Sequence, residues 1–290
     1  MIADTEKFHR KSMRHLVPRR ILTALVMAAI GLPAIIYGNA FYFLLMGGFL
    51  VAGAWEYVRL YRAVKYEPNE LVTVGGVLVL VTARFFFADH SISLFVLLIL
   101  LAMTVHLFSY ERGRDQAALD FGITVAGITY IGWLGSYLLD IRNFSAEGGW
   151  WLMLVLPIVW AGDTGAYSIG AVYGRHKMAP RLSPKKSWEG YIAGVFSSIA
   201  IGAFFTYAFT SIGSLQPLAG MITPVQGALL GLVIGAFAPL GDLGESMFKR
   251  QSGLKDSSNI FPGHGGVLDR IDSWIWGASL GFIMIQYFIL

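Results

Sequence analysis

The sequence predicts an all-α, polytopic integral membrane protein of about nine transmembrane helices, and three observations predict it. Hydrophobic residues make up 56% of the 290 and charged residues only 14%, with a mean hydropathy of +0.61, outside the usual range of soluble domains. Nine apolar runs, 21–38, 40–57, 71–87, 92–108, 119–139, 150–172, 191–212, 225–248 and 267–289, approach the roughly 20 residues that a helical span needs. Alternate loops divide the basic residues unequally: 19 of the 22 Lys and Arg fall on one side. The positive-inside rule then places the N-terminus in the cytoplasm and the C-terminus outside, as an odd number of spans requires.

The chain opens with a basic cytoplasmic segment, 1–20, carrying Lys7, Arg10, Lys11, Arg14, Arg19 and Arg20. With the apolar run behind it this resembles a signal peptide, and Gly38 to Ala40 offers a small-residue cleavage site. A run of about 18 residues is longer than a cleaved apolar core, so an uncleaved first span is expected. Residues 21–140 then read as a scaffold of five spans with short polar loops. Trp55, Tyr57 and Tyr130 suit interfacial anchors, His90 and His106 suit interfacial positions, and Glu56 with Arg59 reads as a local ion pair at the inner end of the second span. Without cysteine the chain has no disulfides or thiolate metal sites. The net charge of +4 follows from topology and gives no reason to invoke nucleic acid.

Residues 150–290 differ, because polar residues enter the four spans. Asp163 falls mid-span beside Gly162, Ala166, Gly170 and Gly174, whose spacing of four suits close helix packing. That spacing does not explain the aspartate, which is either paired or lines a cavity. The loop after this span holds Ser183, Pro184, Lys185, Lys186 and Ser187, a cluster suited to a polyphosphate or to anionic lipid. The eighth span ends with Asp242, Glu245 and Lys249 on one helical face, next to Ser246. From Ser246 to Ser273 the chain carries seven charged residues between two apolar segments. Asp269, Arg270 and Asp272 stand just inside the last span, where each charge at mid-membrane depth costs roughly 2.5 to 3.5 kcal/mol. A bound cation or phosphate would offset that cost.

Asp269 and Asp272 are spaced i, i+3, so their carboxylates share a face and suit one hard cation. Gly265 and Gly266 precede the last helix, where backbone N–H groups can approach an anion. Carboxylates, basic loops and a glycine-rich helix start together suit phosphoryl or nucleotidyl transfer, which depends on positioning and charge neutralisation. No GxxxxGK[ST], GxSxG or HExxH pattern is present, which argues against a P-loop or the corresponding hydrolases.

These residues carry a resemblance. Ser246, Lys249, Arg250, Lys255, Asp256, Ser258, Ile260, Pro262, His264, Gly265, Gly266, Asp269, Arg270 and Asp272 match the signature of the phosphatidate cytidylyltransferase (CDP-diacylglycerol synthase) family at every position, and SPKKSWEG from Ser183 to Gly190 resembles another family segment with Ser187 where threonine is common. The resemblance is strongest from Asp163 to Ser273. It implies a Mg²⁺-dependent membrane enzyme of phospholipid biosynthesis that converts CTP and phosphatidic acid to CDP-diacylglycerol and pyrophosphate, and it implies a homodimer. K⁺ is the candidate for any second cation site. The expected catalytic residues are Asp242, Asp269, Asp272, Lys249, Arg250 and Lys255, with Asp242, Asp269 and Asp272 as cation ligands. The expected substrate-binding residues are Ser183, Lys185, Lys186, Ser246, His264, Gly265, Gly266 and Arg270. The chain is then expected in the cell (cytoplasmic) membrane with its active site facing the cytoplasm, and 150–290 becomes the catalytic region. Two rival readings are an ion-coupled transporter using Asp163, Asp242 and Asp269, and a sister enzyme acting on another lipid phosphate; a purely structural membrane scaffold is a third.

Overall fold

The computed structural model describes residues 26–212, 216–254, 257–258, 260 and 265–290. The basic segment 1–20, Lys255, Asp256, Pro262 and His264 lie outside the described residues. Helices dominate: α1 (Val26–Tyr37), α2 (Asn39–Arg62), α3 (Glu70–Phe86), α4 (Ser91–Glu111), α5 (Ala117–Gly127), α6 (Tyr137–Asn143), α7 (Gly148–Tyr173), α8 (Trp188–Ser211), α9 (Pro224–Phe237), α10 (Pro239–Gln251) and α11 (Leu268–Met284). Six helical stretches among the described residues are long and apolar enough to cross a membrane: α2, Ala88–Glu111, Ala117–Asn143, α7, α8 and Pro224–Gln251. The architecture is all-α, with one short addition: β1 (Lys177–Ala179) and β2 (Ser183–Ser187) pair antiparallel inside the basic loop.

The ends of these helices follow local chemistry. Asn69 caps α3 by accepting from Val72 N, Ser187 caps α8 by accepting from Gly190 N, and Thr223 with Gln226 forms a capping box before Pro224, each satisfying donors that a helix start leaves open. Pro239 has no N–H to continue the helical ladder, so the predicted eighth span divides into α9 and α10. Between α5 and α6 the chain takes a wider turn, a π-helix over Ile128–Leu134.

Glycine rows set how α7, α8 and α9 meet. A Cβ at Gly194 would stand 2.7 Å from the Gly162 carbonyl oxygen, and one at Gly227 would stand 2.6 Å from that of Gly202. Backbones this close need small residues at spacing four. α11 runs through the core, where Ile271 and Ile275 are buried with Leu50, Trp151 and Leu152. α4, by contrast, exposes Ile92, Val96, Leu97, Leu100, Leu101 and Leu107 and buries little besides Leu98, Ala102 and His106, the pattern of a helix solvated by lipid.

Contacts gather four of the basic segments at one end of the bundle. Arg114 donates to Lys65 O and Asp120, Tyr57 and Tyr61 pack on Phe248, and Arg250 Nε donates to Leu182 O. Arg84 and Arg142, two of the three basic residues outside that majority of 19, serve internal contacts. Arg84 pairs with Asp140 and lies over Trp133, while Arg142 donates to Ile35 O and Ile36 O at the end of α1, where a cation suits the helix dipole.

Several expectations for the first half change. Tyr57 is buried and donates to Ile123 O, so it is no interfacial anchor. His106 is also buried, hydrogen-bonded to Thr124 Oγ1. Glu56 and Arg59 form no ion pair: Arg59 stacks on Trp55 at 4.5 Å, and Glu56 turns inward to the start of α11.

Candidate active site

α10 and α11 bring the site together. Along α10, Asp242, Glu245, Ser246 and Lys249 recur at helical spacing on one side, with Asp242 in the first turn. Asp272 projects from the second turn of α11 toward them. Carboxylate oxygens of Asp242, Glu245 and Asp272 lie within 4.8 Å of one another. Opposite ligands of an octahedral Mg²⁺ stand about 4.2 Å apart, so this separation is near what one small cation requires. The Lys249 ammonium contacts Glu245 Oε2, while the other buried oxygen, Oε1, has no hydrogen-bond donor among the described residues. Unsatisfied buried carboxylate oxygens are costly, and a hard cation is the chemistry that relieves them.

Asp269 is placed differently. Its Oδ1 lies 2.5 Å from Lys249 Nζ, and its Oδ2 accepts from Ser257 N at 3.1 Å, Ser257 Oγ at 2.8 Å and Gly266 N at 2.8 Å. The i, i+3 pair thus separates, Asp272 joining the acid cluster and Asp269 anchoring Lys249. Lys249 bridges Glu245 and Asp269, which balances its charge inside the site. Gly265 has φ +81°, a left-handed conformation that glycine adopts without strain, and a side chain at Gly266 would collide with Ser257 and Glu56.

Lys186 enters from β2. Its Nζ lies 2.8 Å from Asp242 Oδ2, and Asp242 Oδ1 accepts from Ser246 Oγ at 3.4 Å. Beside this pair opens a cavity of about 500 Å³ lined by Asp163, Lys185, Lys186, Tyr191 and Asp242, with the small residues of α7 along one wall. Asp163 therefore faces the same cavity as Asp242. Ser183 lies on β2 opposite Ala179, Arg250 reaches Leu182 O, and Arg270 keeps a buried Nε without a hydrogen-bond partner among the described residues. Lys255 and His264 fall outside the described residues.

Three contributors do not figure among the predicted site residues. Glu245 stood on the recognised stripe of α10, and its own spacing was the signal. Ser257 carried no signal beyond its hydroxyl. From the first half, Tyr130 packs its ring on Phe248 of α10, and its buried hydroxyl has no hydrogen-bond partner among the described residues. It sits in the π-helix, a geometry frequent at functional sites.

Comparison with known proteins gives a consistent result. Residues 18–288 match the model of the Cytidylyltransferase family. The chain is 38% identical over 271 residues to a phosphatidate cytidylyltransferase of Pseudomonas aeruginosa, covering 89% of this chain and 93% of that protein. Proteins of the same name from Haemophilus influenzae and Bacillus subtilis are 32% and 31% identical, covering 95% and 93% of this chain and 100% and 98% of theirs.

Proposed function

The chain belongs to the phosphatidate cytidylyltransferase family, and we infer from its site how it makes CDP-diacylglycerol from CTP and phosphatidate. The observation that carries the reading is the cluster of Asp242, Glu245 and Asp272, whose Asp242 pairs with Lys186 and lines a cavity with it. A phosphate oxygen of phosphatidate attacks the α-phosphorus of CTP. The new P–O bond forms as the bond to the β-phosphate oxygen breaks, and pyrophosphate leaves with that electron pair. The nucleophile is already anionic near neutral pH, so no strong base is needed. The difficulty is bringing two polyanions together, which positioning and charge stabilisation address.

Asp242, Glu245 and Asp272 would hold Mg²⁺, a hard cation suited to oxygen donors, and when bound it would neutralise phosphate charge. Asp269 serves the same centre by holding Lys249 beside Glu245. Lys186 and Lys185 face the cavity as phosphate contacts, and Ser183, Ser246 and Arg250 are assigned to the same substrate. Arg270, Gly265 and Gly266 complete the set from the α11 side; Lys255 and His264 belong to the same signature. Asp163 adds a carboxylate to the cavity wall. The protein is a multi-pass membrane protein, and this reading sets nine crossings in the cytoplasmic membrane, with the basic end and the site toward cytosolic CTP. The grouping of basic loops at the site's end supports that orientation.

The test is pyrophosphate release by purified protein given phosphatidic acid, comparing CTP with ATP and GTP, with and without Mg²⁺. Release should require lipid, a cytidine nucleotide and Mg²⁺ together. No release from folded protein would overturn the reading.

A further inference from the structure

Glu56 is completely buried on α2, 0% exposed, and has no cationic partner among the described residues. Its carboxylate instead receives hydrogen bonds from four groups: Val267 N (2.9 Å) and Ser258 Oγ (2.5 Å) on Oε1, Leu268 N (2.8 Å) and Ser257 Oγ (2.9 Å) on Oε2. Two donors are backbone groups at the start of α11, where N–H groups lack intrahelical acceptors and the helix dipole favours an anion. The other two belong to Ser257 and Ser258, on the far side of the loop that leads into α11. Glu56 therefore ties both described ends of that loop to α2.

The tie continues to the reacting centre. Ser257 Oγ lies between Glu56 Oε2 and Asp269 Oδ2, and its one proton serves either carboxylate. Asp269 holds Lys249, which holds Glu245. Asp272, one turn beyond Leu268, takes its place in the acid cluster from the same helix start. Burying an ionised carboxylate costs several kcal/mol unless hydrogen bonds compensate it. A scaffold needing only apolar packing at this place would be met more simply by leucine.

We propose that Glu56 is a positioning residue for cytidylyl transfer, fixing the start of α11 so that Asp272 and Asp269 reach the acid cluster and Lys249. This rests on the reading of Asp242, Glu245 and Asp272 as the cation site. Glutamine at position 56 keeps the shape but presents an NH₂ group to one of the two backbone donors, so the helix start must shift. Disturbing a supporting shell of this kind costs about 10- to 100-fold in activity or metal affinity.

The experiment compares wild type, Glu56→Gln, Ser257→Ala and Asp242→Asn in detergent, measuring kcat, the KM for CTP, Mn²⁺ binding by the EPR signal of the free ion, and thermal unfolding. Glu56→Gln should lose roughly 10- to 100-fold in kcat and bind Mn²⁺ about tenfold more weakly, with the KM for CTP changed by less than about threefold and cooperative unfolding retained. Ser257→Ala should move kcat and Mn²⁺ binding the same way by a smaller factor. Wild-type kcat and Mn²⁺ binding in folded Glu56→Gln would overturn the proposal. If that variant does not fold, unchanged kcat and Mn²⁺ binding in Ser257→Ala would do so. Full Mn²⁺ binding and turnover in Asp242→Asn would instead sink the cation-site reading, which separates the two failures.

Discussion

Glu56 and Leu268 stand 212 residues apart in the chain, yet the Leu268 N–H donates to Glu56 Oε2 at 2.8 Å. That contact joins the second helix to the first turn of the last and carries the first half of the protein into the site. It also explains why glycine occupies position 266, where a side chain would collide with Glu56 and Ser257.

Truncation at this point should destabilise the fold. Glu56→Ala leaves Val267 N and Leu268 N without their acceptor, at about 1 to 3 kcal/mol for each unsatisfied buried donor. Thermal unfolding in detergent should show a clear drop in Tm, and an unchanged Tm would mean that water or a shifted loop replaces the carboxylate.

Asp272→Asn and Asp269→Asn should fail in different ways. Asp272 sits among like charges, so its neutralisation should reduce turnover by at least about 100-fold while leaving Tm unchanged or higher. Asp269 accepts from three groups and pairs with Lys249, so its neutralisation should also lower stability, by about 1 to 3 kcal/mol. Equal melting curves for the two variants would contradict this division.

Lys186→Ala removes the ammonium that pairs with Asp242 and faces the cavity. Steady-state kinetics should show the KM for CTP raised about tenfold, with a smaller effect on kcat, as expected when a binding contact is lost. A loss confined to kcat would move Lys186 from binding to the chemical step.

Chelation should silence the enzyme reversibly. EDTA is expected to abolish pyrophosphate release and Mg²⁺ to restore it. Ca²⁺, which takes six to eight ligands at roughly 2.3 to 2.6 Å, should restore little. Undiminished release in excess chelator would remove the cation from the mechanism.

Close helix contact predicts a contrast between two glycines. A Cβ at Gly202 would run into the Gly227 carbonyl, whereas one at Gly48 would meet nothing within 4 Å. Gly202→Ala should cost about 1 to 3 kcal/mol, and Gly48→Ala should be neutral or stabilising by up to about 1 kcal/mol. Unfolding of both variants in the same detergent reads the difference.

Much of the helical layout was legible because apolar runs and glycine spacing are local properties. The run at 40–57 became α2, and the row from Gly162 to Gly174 faces α8 as its spacing suggests. The β1–β2 hairpin was not legible, since three- and five-residue strands inside a basic loop carry no alternating apolar pattern. Glu56 was misread for a related reason: with Arg59 three residues away, a local ion pair satisfied every rule that sequence spacing offers.

The sequence by itself determined the apolar runs, the charge asymmetry of the loops and the stock of carboxylates and cations from Asp242 to Asp272, because helical period and hydropathy are fixed within a few turns. Only the tertiary structure decided how those groups divide. Asp269 and Asp272 share a helix face, but Lys249, Ser257 and Gly266 claim the first, while Asp242 and Glu245 surround the second. The physical reason is that a carboxylate's role is set by the donors and charges that other elements bring to it. Those elements meet through burial and close packing over hundreds of residues, which no local spacing records.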